Sequence, residues 1–274
     1  MATPIKSMLQ LTPAFKISHS YSHHIPPRLL TRHDPSTICT TVFALLINTI
    51  IDNDLLEIVH AQYSELVELP SASYPVHIKR FATPLVGILS RGAHLTAYTR
   101  SPGGEMKIWV PRRSAHLKTF PNKLDSTVAG GVKAGDSPFE TIIHEADEEA
   151  SLSEALLRRD VRACETLSYI GVTGENDLGE KGLVVPDVVY VYDIELSEEV
   201  VPRPKDNEVK EFYLMGVEEV RAALRKGEFK TNSAVVMINF FIRHRIVTEQ
   251  NEDGFEEICR RMHSRLPFEF ENNV

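Results

Sequence analysis

Three glutamates, Glu145, Glu148 and Glu149, stand three and four residues apart in the stretch AGGVKAGDSPFETIIHEADEEA, residues 129 to 150. On a helix this spacing brings their carboxylates within one turn of each other. Between Ala134 and Leu157 there are seven Asp and Glu residues and no Lys or Arg. A solvated helix face usually interleaves bases four residues from its acids, and like charges at that spacing cost roughly 0.2–0.5 kcal/mol per pair. Clustered carboxylate oxygens without local bases suit Mg²⁺ or Mn²⁺, with waters and substrate phosphates completing the shell. The preceding AGGVKAG segment allows close backbone approach, so a carbonyl at Gly130 or Gly131 is a further candidate ligand. The residues leave two readings, a metal site and a solvated acidic face.

The element that must carry these acids is well signalled. Ser137-Pro138-Phe139-Glu140 predicts a helix start with a capping box and Pro at the first helical position. Phe139, Ile142, Ile143, Ala146 and Ala150 recur at helical spacing and form an apolar stripe opposite the glutamates. Strand-like runs flank this helix. LVGILSRGAHLTAYTR (85 to 100) predicts two β runs separated by a turn at Arg91-Gly92, and MKIWVPRR a further strand. ETLSYIGVT, VVPDVVYVYDIEL and EFYLM follow the helix as strands. GVEEVRAALRKGEF reads as a helix closed by Gly227, SAVVMINFFIRHRIV as a buried apolar segment, and Phe255 to Arg265 as a last amphipathic helix. Strands on both sides of a central helix, with helices after them, predict an α/β sandwich with a mixed sheet between helical layers.

Bulk composition bounds the function. The chain has 274 residues, 25% of them charged, and a formal net charge of −8, which argues against nucleic acid as a partner. Three cysteines, Cys39, Cys164 and Cys259, lie far apart in no metal-binding spacing and read as inert thiols of a reducing compartment. The apolar run TVFALLINTII (41 to 51) falls short of the roughly 18 to 20 residues that span a bilayer, so a buried helix and no membrane partner are expected. Residues 1–33 carry four Lys/Arg, four His and no acid, which fits either a transit-like segment or a disordered tail. An intracellular location, cytoplasmic or mitochondrial, is expected. Residues 34–80 read as a small helical N-terminal segment and 81–274 as the main domain. Oligomeric state has no signature in the sequence.

The stretch Gly130-x5-Asp136-x7-His144-Glu145-Ala146-x-Glu148-Glu149-x-Ser151-Leu152 resembles the Nudix box, Gly-x5-Glu-x7-Arg-Glu-aliphatic-x-Glu-Glu-x-Gly-aliphatic. Asp136, His144 and Ser151 depart from it. FATPLVGILSRGAHLTAY, KIWVPRRS, TFPNKLDSTVAGG, VVYVYDIEL, DNEVKEFYLM and GEFKTN are similar to a Nudix subfamily related to thiamine pyrophosphokinase. The resemblance runs from about Phe81 onward and implies the Nudix fold, with Mg²⁺-dependent hydrolysis of a small-molecule diphosphate such as an oxidised or damaged thiamine diphosphate. Nucleoside diphosphate derivatives are the alternative substrates, and a catalytically weak binding module the alternative role. By position, Glu145, Glu148 and Glu149 would be metal ligands, joined by a carbonyl such as that of Gly131. Glu145 could share the base role with a loop acid, for which Glu208 is favoured over Glu211, Glu175, Asp177 and Glu180. Arg112, Arg113 and Lys133 are candidates for the phosphates; Trp109, Tyr190 and Tyr192 are aromatic candidates for stacking, with core the commoner fate. His144 matters most among the departures, because the family's Arg orients the glutamates and an imidazole does so only in part and mainly when protonated.

Overall fold

SRGAHLTAYTR forms one continuous strand, β3 (Ser90–Arg100), where the sequence suggests a turn at Arg91-Gly92. Gly92 sits inside the ladder, opposite Gly131 on one side and Val189 on the other. Backbone pairing on both edges outweighs the local turn preference. The turn falls later, where Ser101 N–H donates to the Glu105 carbonyl and Gly104 takes φ +84°. The computed structural model describes residues 34–57, 65–70, 72–174, 177 and 179–266. The N-terminal residues 1–33 and the candidate Glu175 therefore lie outside the described residues.

β3 is the spine of a six-stranded sheet of order β6-β7-β3-β4-β8, with β5 also on β3. The strands are β4 (Met106–Arg113), β5 (Val128–Gly131), β6 (Arg162–Val172), β7 (Val184–Glu195) and β8 (Val209–Gly216). β3 and β7 run parallel and every other pair antiparallel, so the sheet is mixed. One edge of β3 is divided: β5 pairs with Gly92 to Leu95, and β4 with Tyr98 to Arg100.

Alternation along the strands sends side chains to two cores. Val188, Tyr190 and Tyr192 pack with Ile142, Ala146 and Ala150 of α3 (Pro138–Ala150). Val189 and Val191 face the other way, toward Val236 of α6 (Thr231–Arg243) and Met262 of α7 (Phe255–Met262). Tyr190 and Tyr192 are thus core residues, each 2% exposed. α4 (Glu154–Asp160) joins α3, while α5 (Val217–Arg225), closed by Gly227 at φ +65°, joins α6. The mixed sheet between helical layers is the architecture expected from the sequence.

An N-terminal unit leans on this sandwich. α1 (Pro35–Asp52) starts at Asp34, whose carboxylate accepts from the Ser36 and Thr37 N–H groups. α1 is long and apolar enough to cross a membrane by length and composition, yet the buried helix expected from the sequence is only partly realised. It buries Ile47 and Ile50, because its partner is one small layer, the two-stranded sheet of β1 (Leu66–Glu68) and β2 (His77–Lys79), followed by a turn of helix, α2 (Thr83–Val86). This unit touches the glycine-rich loop directly, since Ala134 N–H donates to the Leu66 carbonyl at 3.1 Å.

Candidate functional site

Ser137 caps α3, accepting from the Glu140 N–H at 3.1 Å, with Pro138 at the first helical position. The reciprocal half of the expected capping box is replaced by a longer contact: Glu140 pairs with Arg158 of α4 at 2.9 Å. Arg158 also holds Glu154, Lys205 holds Asp147 at 2.7 Å, and Asp136 faces His144 at 4.0 Å. Arg158 and Lys205, from beyond the helix, therefore partner Glu140, Glu154 and Asp147, while Asp136 faces His144 of the helix itself. Glu145, Glu148 and Glu149 differ. Their closest base among the described ion pairs is Lys133, whose Nζ stands 3.9 Å from Glu145 Oε1.

Glu149 is buried at 7% exposure, and its Oε2 accepts from the Ala129 N–H at 3.1 Å, which ties α3 to β5. Glu145 lies over Gly130. A Cβ at position 130 would sit 2.7 Å from both Glu145 Cδ and Oε1, closer than such atoms approach. Only glycine leaves room for that carboxylate. Gly130→Ala is accordingly expected to push Glu145 aside and lower turnover by about 10²-fold, the scale of a 1 Å misplacement. Because the displaced atoms belong to one side chain, the thermal midpoint should stay within a few degrees, which separates misplacement from unfolding.

Electrostatics mark these acids as a set. Burial pushes the Glu145 carboxyl up to about 7, against the pull of Lys133, and the neighbouring charges of Glu148 and Glu208 push it the same way. Burial likewise raises Glu149 well above the usual carboxylate range, aided by Asp125 and Glu145. Glu148 and Glu208 thus bear on Glu145, and Glu145 on Glu149. A divalent cation inverts that preference.

The two favoured candidates for the base part company on β8. Glu208, just before the strand, bears on Glu145 and is set off from the regular alternation of β8 by a β-bulge at Lys210. Glu211 shares parity with Tyr213, whose hydroxyl donates to it at 2.6 Å and holds its carboxyl below the usual range. Asp177 is held within its own loop, accepting from the Gly174 N–H, and a Glu180 carboxylate oxygen accepts from the Glu57 N–H. Arg112 lies with Glu211, donating to Tyr213 Oη at 3.2 Å and to the Asn122 carbonyl at 2.8 Å. Arg113 is buried against Asp125 at 3.0 Å and donates to the Thr119 carbonyl. Of the candidate phosphate ligands, Lys133 alone is brought beside the glutamates.

Arg80 joins that neighbourhood unforeseen. A Cβ at Gly131 would lie 3.0 Å from Arg80 Cδ and 3.2 Å from Nη1, and the Arg80 charge favours ionised Glu145. Glu65 steadies it at 2.7 Å. No periodic signal marks Arg80, because it arrives from the N-terminal unit across a tertiary contact.

Beneath the glutamates lies a buried polar layer that the sequence also conceals. Asp125, 5% exposed, accepts from Arg113 and Ser233 and faces Lys230 at 3.5 Å. The ammonium of Lys230 and the guanidinium of Arg113 overcome its burial and hold its carboxyl at about 2. His94 on β3, hydrogen-bonded to Ser126 at 2.9 Å, is lowered to about 3, mainly by burial and then by Lys230. The unfolded chain takes up this proton below about pH 6.5, whereas the folded protein refuses it down to about 3. His94 therefore costs no stability above pH 6.5 and removes about 1.4 kcal/mol per pH unit as pH falls from there toward 3. Urea melts at pH 7 and pH 5 should differ by about 2 kcal/mol more in the wild type than in His94→Asn.

The box departures have structural answers. Ser151 adopts the left-handed conformation that glycine would take, at φ +54°, and its N–H still closes the helix on the Ala146 carbonyl. Its Oγ donates to the Arg203 carbonyl at 2.9 Å, offsetting a strain of about 1–2 kcal/mol. His144 is exposed and stands 4.0 Å from Asp136. Among the described residues no three His, Cys, Asp or Glu side chains close on one point as a finished metal cage. Mg²⁺ takes one or two carboxylates beside waters and phosphates. The mutually opposed carboxylates and the Gly130 cradle fit such an ion.

Comparison with known proteins gives a family match. The model described as NUDIX domain matches residues 91–235. An uncharacterized protein of Saccharomyces cerevisiae is 39% identical over 198 residues, covering 70% of this chain and 58% of that protein. Nudix hydrolase 20, chloroplastic, of Arabidopsis thaliana is 32% identical over 199 residues, covering 72% and 50%. Nudix hydrolase 24, chloroplastic, of the same plant is 32% identical over 196 residues, covering 70% and 51%. The chain spans about half the length of the relatives it matches.

Proposed function

The chain belongs to the NUDIX domain family, and from that premise we propose that it hydrolyses a diphosphate linkage with Mg²⁺, or Mn²⁺ in its place. The observation that carries this reading is the gathering of Glu145, Glu148, Glu149 and Glu208 in one region, where their charges oppose one another. Glu145, Glu148 and Glu149 would hold the ion, with the Gly131 carbonyl a further candidate ligand. When bound, the ion shields phosphoryl charge and lowers the pKa of a coordinated water. Glu208 accepts the proton of the attacking water. The new oxygen–phosphorus bond forms as the bridging bond breaks, leaving a monophosphate and phosphate. Lys133 and Arg80 place positive charge where the diphosphate arrives.

The substrate class is thiamine diphosphate in oxidised or damaged forms, supported by the resemblance of residues 81–274 to the thiamine-related subfamily. Residues 34–80 serve as a docking unit for the glycine-rich loop. Residues 1–33 fit a targeting segment, in keeping with relatives described as chloroplastic, and the location is cytoplasmic or mitochondrial. Phosphate release from oxothiamine diphosphate, ADP-ribose and a diadenosine polyphosphate, each with and without Mg²⁺, tests the reading. Release from the thiamine compound first is expected; faster release from the nucleotides would replace the substrate class and leave the reaction standing.

A second reading, a ligand-binding module of low turnover, is favoured by one observation, an imidazole facing Asp136 at position 144, where the box has Arg. His144→Arg discriminates. A rise in turnover identifies the imidazole as a weakened position, and unchanged or lower turnover shows that the site works without a base there.

A further inference from the structure

The segment from Ser197 to Glu208 joins β7 to β8 and passes over the C-terminal end of α3. Its sequence, SEEVVPRPKDNE, suits that course. Pro202 and Pro204 fix φ and carry no N–H, leaving Arg203, Lys205 and Asp206 as the backbone donors beside them. Two of these meet α3, whose last four carbonyls have no partner inside the helix. Arg203 N–H donates to the Ala150 carbonyl at 3.0 Å, and Asp206 N–H to the Glu148 carbonyl at 3.1 Å. Ser151 Oγ, on the Arg203 carbonyl at 2.9 Å, and the Lys205–Asp147 pair at 2.7 Å fasten the same segment.

Asp206 also makes the contact that closes this path. Its Oδ1 accepts from the Glu208 N–H at 2.9 Å, the reach of an Asx turn. One residue thus holds the ligand helix with its backbone and the Glu208 main chain with its side chain. The carbonyl of Glu208 is tied as well, since Ser114 N–H, just after β4, donates to it at 2.8 Å. Glu208 is therefore suspended between the sheet and α3, and the bulge at Lys210 frees it from the alternation of β8. Its exposed side chain enters no ion pair among the described residues and bears on Glu145.

We infer that Asp206 is a positioning residue, whose carboxylate sets the Glu208 main chain against the Glu148 carbonyl and so fixes where the base stands over the metal ligands. It acts through Glu208 and touches no reacting atom. The inference rests on the hydrolysis proposed above, with Glu208 as its base, and names what holds that base in place.

Asp206→Ala removes the acceptor, whereas Asp206→Asn keeps an oxygen in its place. Phosphate release with Mg²⁺ from oxothiamine diphosphate, ADP-ribose and a diadenosine polyphosphate is measured in both, in Glu208→Gln, and in Asp206→Ala combined with Glu208→Gln. Asp206→Ala should lower kcat about tenfold at unchanged KM, short of the roughly 10²-fold of a 1 Å misplacement. Mn²⁺ affinity and the thermal midpoint should stay at their wild-type values, and Asp206→Asn should recover most of the loss. In Glu208→Gln, which has no base left to place, Asp206→Ala should cost nothing more. Wild-type kcat in Asp206→Ala, a loss that Asp206→Asn shares in full, weakened Mn²⁺ binding, or a loss that multiplies with Glu208→Gln would overturn the inference. Wild-type turnover in Glu208→Gln would overturn it too, while leaving metal-dependent hydrolysis standing. If no compound is cleaved, the hydrolase reading fails and amide exchange decides the positioning by itself. The Glu208 N–H should then exchange at least about tenfold faster in Asp206→Ala than in Asp206→Asn, the scale of one net hydrogen bond, and equal rates would overturn it.

Discussion

Glu149→Gln should lose metal-dependent turnover by about 10³-fold or more, the scale on which one preorganised electrostatic group acts. The substitution is close to isosteric, and the amide oxygen can still accept the Ala129 N–H that anchors Glu149 to β5. Without a metal, burial and the charges of Asp125 and Glu145 already oppose ionisation of this carboxyl. Removing the charge therefore leaves folding intact, and the thermal midpoint should hold or rise. Loss of activity with retained stability identifies a group kept for chemistry; a variant with most of its turnover would remove Glu149 from the ligand set.

The largest stability effect is expected at Asp125. Its carboxylate faces Arg113 and Lys230 and accepts from Ser233, within a largely buried layer. Asp125→Ala strands two cations beside His94, and breaking a buried pair from one side costs about 3–5 kcal/mol. For a chain of this size that lowers the thermal midpoint by roughly 10 °C. Adding Arg113→Met to Asp125→Ala should recover part of the loss, because the unpaired charge then disappears with its partner. An additive double variant would show that the pair is not coupled.

The contrast between these positions explains what the sequence could disclose. Glu145, Glu148 and Glu149 are legible because helical periodicity alone sets their mutual placement, and Ser137, Pro138 and the Ile142 to Ala150 stripe announce the helix. The alternating strands around it are legible for the same local reason. Arg91-Gly92 misleads because a turn signal was satisfied by ladder pairing with Gly131 and Val189, partners remote in sequence. Arg113 carries the composition of a phosphate ligand, yet burial against Asp125 occupies it. Glu208 and Glu211 look equivalent along the chain, yet Glu208 bears on Glu145 while the Tyr213 hydroxyl holds Glu211, and the β-bulge between them carries no local signal. Arg80, Asp125 and Lys230 had no local signature, since each acts through a contact that only the assembled fold makes.

The claim on which the rest depends is that the partner of the three glutamates is a divalent cation. Mn²⁺ binding followed by paramagnetic resonance, in the wild type and in Glu149→Gln, measures this without reference to any substrate. The expected result is saturable binding to the wild type, displaced by excess Mg²⁺ and weakened at least about tenfold in the variant, in line with loss of one charged ligand. Absence of binding to the wild type, or equal binding to both proteins, would contradict it.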